Sequence, residues 1–374
     1  MPPTPLPRQS PDPRWTSSYD LLLKLEAQHL DDDRSKLVAV RLLGHLMHEI
    51  GTNDSDALHR AIIALAAPGS GGDEVIALGK VYLRSFVSLF RRSSRTPAPS
   101  EHPSRDHETS STNELKPGTF DHHTAKRHAL IRDEHQCCVC SAYDKASTKM
   151  SPEVGKKAEE RFATAGQTTV TTDAVHIVPE RLNCGITTFA EFQGDEEEGE
   201  VISSLLVTEN VVPSFETKAH QSSSVYAVFR AFGTAAILEE LNGQAIHRLE
   251  NILTLCIQHH QDFNDLDLWL EHTGVPNEYR IQVSVERLRP KGSASQPVQT
   301  VMLRGDDDSL PPPSVGYLAL HATCCKVAQK SGAVQYLNDI DDNFGDAVMD
   351  ARYVSSSAVC DALIQSLEVM PCRN

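Results

Sequence analysis

Long hydrophobic runs are absent from this chain. No stretch of eighteen or more apolar residues occurs in its 374 residues, so a membrane-spanning helix is not expected. An apolar leader is lacking too. The opening, MPPTPLPRQSPDPRW, is rich in proline and has no hydrophobic centre of the kind a secretory signal carries. A paired-cysteine framework is also missing. The nine cysteines fall at Cys137, Cys138, Cys140, Cys184, Cys256, Cys324, Cys325, Cys360 and Cys372. An odd count with near-adjacent members is not the pattern of a secreted disulfide scaffold. The expectation is an intracellular protein, nuclear or cytoplasmic and not secreted, although no clear basic import signal is present. Positive charge is scarce as well: 35 Lys and Arg stand against 51 Asp and Glu, a formal net charge of −16. That argues against tight nonspecific binding of nucleic acid by a broadly basic surface. Much of the acidity, however, is confined to GDEEEGE (194–200), GDDDS (305–309) and NDIDDNFGD (338–346), which leaves room for a local basic patch. No internal repeat is evident.

What is present is an ordinary globular composition, 40% hydrophobic and 23% charged, unevenly organised. Residues 1–16 read as a disordered tail, and 17–93 as a helical region with patterns near 18–30, 34–50, 55–67 and 73–92. In RSKLVAVRLLGHLMHEI, Leu37, Val40, Leu43 and Met47 recur at helical spacing. These helices either pack as a small bundle or extend along the domain C-terminal to them. The Ser-, Pro- and charge-rich stretch 94–119 reads as a disordered linker. A domain over 120–288 comes next, with a polar insertion at 180–220. It holds a short helix running into a cysteine knuckle, a strand ending at Pro179, a helix stopped by Gly243 and a strand LENILTLC. A helix IQHHQDFNDLDLWLEH and a strand NEYRIQVSVE complete it. Residues 289–311 read as a loop and 312–374 as a C-terminal helical extension. The fold class is α+β.

The densest chemistry lies in NILTLCIQHHQDFND, residues 251–265. On a helix His260 and Asn264 can share a face, while His259, about 100° away, can serve a different centre. Asn251 enters from a strand end and DAVHIVP brings His176 from another strand. These side chains can form a cradle for one divalent cation and a phosphate. Elsewhere, Cys324 and Cys325 lie in an apolar helix and are expected to be packed. His122, His123 and His128, beside the linker, are expected to be exposed. His45 and His48 show no arrangement that suggests chemistry, and GDEEEGE reads as a solvated loop.

DAVHIVP followed by ENILTLCIQHHQDFN resembles the HNH nuclease motif, the ββα-metal finger. The nine-residue step from Asn251 to His260 and the four-residue step to Asn264 match its spacing. The chain is similar in particular to a fungal group of HNH nuclease-domain proteins. Their HIVP-like strand, N-x-L-T-L…H-x-x-F hairpin–helix, Y-x-I strand and P-x-x-x-x-L-x-L-H helix all have counterparts between about 120 and 345. The resemblance implies a metal-dependent endonuclease that hydrolyses DNA phosphodiester bonds. His176 would be the general base, Asn251 the holder of the connecting loop and of the base's orientation, and His260 with Asn264 the ligands of Mg²⁺ or a similar ion. DNA would be the partner, with no membrane involved. Two positions depart from the pattern. Val175 stands where a metal-ligating Asp or His often precedes the base, and Asp173, three residues before His176, is not expected to replace it in a strand. Asn264 is a neutral donor where His or Asp is common, and hard cations prefer carboxylate. The alternative is therefore a binding module that keeps the scaffold without catalysis, with zinc as a stabiliser. A structural zinc site is expected from Cys137 and Cys140 (C-x-x-C) with Cys256 and His259 (C-x-x-H), a Cys₃His set. Cys138 could replace either neighbour in the first pair.

Overall fold

The structure, a computed structural model, describes residues 3–31, 33–50, 52–66, 72–91, 122–180, 228–229, 235–292, 297–305 and 309–344. The linker 94–119, nearly all of the 180–220 insertion with its acidic loop, and residues 345–374 lie outside them. The first four helices are α1 (Thr16–Gln28), α2 (Arg34–Glu49), α3 (Thr52–Leu65) and α4 (Asp73–Tyr82), the last continuing as a π-helical turn over Leu83–Val87. The start of α2 follows from local chemistry: the Asp33 carboxylate accepts the otherwise unpaired N–H groups of Ser35 and Lys36. Its buried face, including Val38, Leu42, His45 and Leu46, packs against α1 and α4. The helices α2 and α4 cross closely because position 79 is glycine; a Cβ there would collide with the Ala39 carbonyl.

Residues 3–15 are not a disordered tail. The Thr4 N–H donates to the Lys330 carbonyl at 2.8 Å, the Leu6 N–H to the Glu26 carboxylate at 3.1 Å, and the Tyr19 hydroxyl to the Pro7 carbonyl at 2.8 Å. Leu6 and Trp15 are buried, and the Trp15 indole N–H donates to Asp56. Two apolar anchors in a proline-stiffened segment with little chain entropy to lose suffice to hold it down.

The second part contains α5 (His122–Arg132), α6 (Lys145–Met150), α7 (Pro152–Ala165), β1 (Thr172–His176), α8 (Ala235–Glu240), β2 (Ile252–Cys256) and α9 (Ile257–Asn264). After these come β3 (Leu268–His272), β4 (Glu278–Val283), β5 (Thr300–Met302), α10 (Val315–Ser331) and α11 (Ala333–Phe344). The class is α+β, with two small antiparallel sheets: β1 pairs with β2, and β3, β4 and β5 form a three-stranded sheet. One core of buried residues runs from Leu6 to Leu337 through both parts, and α10 packs along α2 and β3. The N-terminal helices thus extend along the strand-bearing part. Among the described residues, no helix is long and apolar enough to cross a membrane.

Three boundaries differ from the sequence expectation. The helix from 257 stops at Asn264 instead of continuing to 272. Leu266 takes φ +61°, and Leu268–His272 turns into a strand that pairs Leu270 with Ile281. The alternating LDLWL pattern has strand period, and pairing with β4 outweighs helix continuation. The 289–311 loop includes β5, whose Val301 is buried opposite Tyr279. The C-terminal helix is divided at Gly332, φ +83°, into α10 and α11.

One buried ion pair positions the hairpin. The Arg132 guanidinium forks onto Asp133 at 2.9–3.0 Å and also donates to the carbonyls of Leu249 and Ile252, at 2.9 and 2.8 Å. The Arg132 and Asp133 side chains are only 1% and 2% exposed. Arg132→Met should destabilise the protein by about 3–5 kcal/mol, because it strands a buried carboxylate. Denaturant unfolding checks this; a loss below about 1 kcal/mol would mean that the pair contributes little.

Candidate metal centre and hairpin–helix site

The cysteine knuckle is a tight turn between Gln136 and Tyr143, which bridge as an antiparallel pair. The Cys137 N–H donates to the Ala142 carbonyl and the Ser141 N–H to the Cys137 carbonyl, with Ser141 at φ +59°. This brings Cys137 and Cys140 to the end of β2, where Cys256 caps α9 and His259 occupies its first turn. The Sγ atoms of Cys256 and Cys137 lie 3.2 and 3.5 Å from His259 Nδ1. All four ligand atoms are within 4.8 Å of one another, and all four residues are buried. A tetrahedral zinc with bonds of about 2.3 Å to sulfur needs sulfurs roughly 3.8 Å apart, so this buried cluster can bind a metal such as zinc. Among the described residues, no other group of three or more His, Cys, Asp and Glu side chains has its ligand atoms this close. Cys138 takes no part in the set; its N–H donates to the Thr254 carbonyl and ties the knuckle to β2. The thiols gathered with His259 are those of Cys137, Cys140 and Cys256.

The electrostatics of the cluster suit a cation. Burial pushes the Cys137 thiol up, whereas hydrogen bonds from the Cys137 and Cys140 thiols hold Cys256 far below the usual thiol range. Burial pulls His259 down, but the Cys137 and Cys256 sulfurs outweigh it and raise the imidazole to about 10. Without metal the cluster therefore holds protons on Cys137, Cys140 and His259, which zinc must displace. Metal affinity is expected to fall steeply as the pH is lowered from 8 to 5, with proton release on binding. Competition with a zinc-chelating dye across that range measures it; a flat profile would contradict this ligand set.

The β1–β2 hairpin places the remaining residues. His176 sits opposite Ile252 at the end of β1. The Asn251 side chain clasps the segment after His176: its Oδ1 accepts from the Val178 N–H at 2.8 Å, and its Nδ2 donates to the Val178 and Ile246 carbonyls at 3.1 and 3.0 Å. Asn251 is fully buried, so it anchors the backbone flanking His176 while the His176 ring takes another partner. His176 Nε2 is 3.0 Å from His247 Nδ1.

His260 lies on α9 with Nδ1 3.1 Å from Asp173 Oδ2. Here the strand expectation needs correcting. Asp173 and Val175 are two residues apart in β1 and share a face, so Asp173 reaches the helix although Val175, buried and apolar, offers no donor. Asn264 follows His260 by one turn on the same helical face. Among the described residues, His176 pairs with His247 and His260 with Asp173. Asp173 and His176 stand three residues apart, ~10 Å along the strand and on opposite faces.

Compared with family models, curated proteins and solved structures, the chain gives no match.

At the hairpin end, one histidine escaped the sequence reading and another was misplaced by it. His247, in GQAIHRLEN, packs its ring 5.1 Å from that of His176. His122, expected to be exposed, is buried, with its ring 5.6 Å from His176 and 5.8 Å from His247. The signal was available. His122, Ala125, Ala129 and Arg132 have a 3-4-3 spacing, which marks one buried helical face. Cys324 and Cys325 are packed in α10, as expected, and His321 stacks on Phe263 with ring centroids 3.6 Å apart.

Proposed function

We propose that the chain is a metal-dependent endonuclease of the HNH type, with β1, β2 and α9 as its ββα-metal unit, acting on DNA phosphodiester bonds. The observation that carries this reading is the joint placement of three residues. His176 ends β1, Asn251 clasps the turn beside it, and His260 on α9 is paired with the carboxylate of Asp173. His176 would accept the proton of the attacking water, a task suited to imidazole near neutral pH. His260 and Asn264 would hold the cation. Asp173 supplies the anionic oxygen that Val175 lacks and orients the His260 ring in the manner of a carboxylate behind a ligating histidine. A divalent ion held there would offset charge building on the phosphoryl and leaving oxygens. We assign the Cys137, Cys140, Cys256 and His259 cluster to a structural zinc that fixes the start of α9.

The test is plasmid cleavage with Mg²⁺ or Mn²⁺ by wild type, Asp173→Asn and His260→Ala. Cutting by the wild type should fall at least tenfold in both variants. Absence of cutting with either ion, while DNA is still retained in a gel-shift assay, would overturn the nuclease reading. It would favour a second one, a binding module with the same scaffold, for which the buried apolar Val175 speaks.

A further inference from the structure

The three histidines gathered where β1 ends belong to three separate segments: His122 at the start of α5, His176 at the end of β1, and His247 shortly before β2. Their ring centroids are 5.1, 5.6 and 5.8 Å apart. That spacing has a chemical meaning. A zinc–nitrogen bond of about 2.0–2.1 Å puts each ring centroid about 3.2 Å from the metal, so tetrahedral ligation separates the centroids by about 5.2 Å. Packed rings also span ~4.5–7 Å, and these three are tilted or edge-on to one another, so it is their meeting from three segments, with the short nitrogen–nitrogen approach, that points to a ligand set. Two nitrogens are already close to a shared coordination sphere. His176 Nε2 and His247 Nδ1 lie 3.0 Å apart, against about 3.3 Å for two ligands of one tetrahedral zinc. As the rings stand, the three imidazoles do not bring a nitrogen each to within 4.8 Å of one another, so ligation requires the His122 ring to turn toward the other two.

The second nitrogen of His247 strengthens the case. With Nδ1 turned to His176, its Nε2 lies 3.8 Å from a Glu180 carboxylate oxygen, longer than a hydrogen bond but within reach of one after a small side-chain movement. A ligating histidine commonly directs its other N–H to a carboxylate, which fixes the tautomer and raises the basicity of the ligand. His247 is nearly buried and Glu180 more than half exposed, so the carboxylate stands at the solvent side of the cluster. The donors are all imidazole, which suits zinc and similar borderline cations and disfavours Mg²⁺ or Ca²⁺, which require oxygen.

We propose that His122, His176 and His247 form a second metal site, an all-imidazole cradle for a borderline divalent cation such as zinc. It is separate from both the cysteine cluster and the His260–Asp173 pair. One consequence rests on the nuclease reading: ligation uses the His176 nitrogen lone pair needed for proton abstraction, so zinc at this site silences the base. The site would make cleavage responsive to zinc while Mg²⁺ supports it.

Metal counting tests the site without reference to cleavage. Untagged full-length protein is equilibrated with excess zinc, freed of loose metal by gel filtration and analysed by elemental analysis. His122→Gln and His247→Gln should each lose one zinc per chain relative to wild type. His122→Cys, which restores a donor, should regain it, an outcome a folding defect would not produce. Cobalt(II) substitution provides the second readout. The thiolate-to-cobalt charge-transfer band of the cysteine cluster should persist in the glutamine variants, while visible absorption from the imidazole-bound ion is lost. Zinc content unchanged in both glutamine variants would overturn the proposal. So would loss of the same equivalent in His260→Gln, which would place the ion at the His260–Asp173 pair. If the site is present but the protein cuts no DNA, the zinc counts still stand and only the inhibitory consequence fails.

Discussion

Replacing His176 with alanine is expected to slow Mg²⁺-dependent DNA cleavage by ~10²–10⁴-fold, the usual contribution of a positioned general base. The fold should survive, because His176 is only partly buried and the Asn251 clasp runs through the Val178 backbone. Rate against pH separates the base from a merely structural histidine. In wild type the rate should rise as an imidazole loses its proton, and in His176→Ala that limb should disappear. Cleavage by the variant within tenfold of wild type would mean that another group takes the proton. Asn251→Ala should also slow cleavage, but for a different reason. It releases three hydrogen bonds around Val178 and Ile246, so its unfolding transition should move as well.

Cys256→Ser is expected to lower both zinc content and stability. Structural zinc in small domains contributes ~10–16 kcal/mol of apparent binding free energy. Only part of that should be lost here, since three ligands remain and the core is continuous. A loss of several kcal/mol corresponds to a fall in Tm of roughly 5 °C in a chain of this size. Serine offers no thiolate, and its hydroxyl would be buried beside His259. A chelator should produce a similar shift in wild type and little further shift in the variant. Wild-type protein prepared without chelator that holds no zinc, with a Tm insensitive to its addition, would remove the metal from the cluster.

Much of the architecture was legible because its signals are local. Helices α1, α2 and α4 follow apolar periodicity, and β1, β2 and β4 follow β-branched or alternating runs. The four ligands of the cysteine cluster share two short motifs, C-x-x-C and C-x-x-H, and the structure brings these together. The parts that were not legible depend on distant pairing. The helix–strand switch at Leu266 is decided by β4, and β5 by an edge that only β4 provides. The order of the opening segment depends on Glu26 and Lys330. Asp173 looked misplaced when counted from His176, yet counted from Val175 it sits on the face that meets α9. His247 and His122 gained significance only once three segments met.

The contact between Thr4 and Lys330 bears on how the protein is made. The ribosome delivers Thr4 first and Lys330 much later, roughly tens of seconds apart at 5–20 residues per second. Helix α2 waits equally long for α10, the helix that covers it. For that interval the nascent chain carries an uncovered apolar helix face, the kind of surface on which chaperones act. Fragments ending within the linker should therefore aggregate where the longer chain does not.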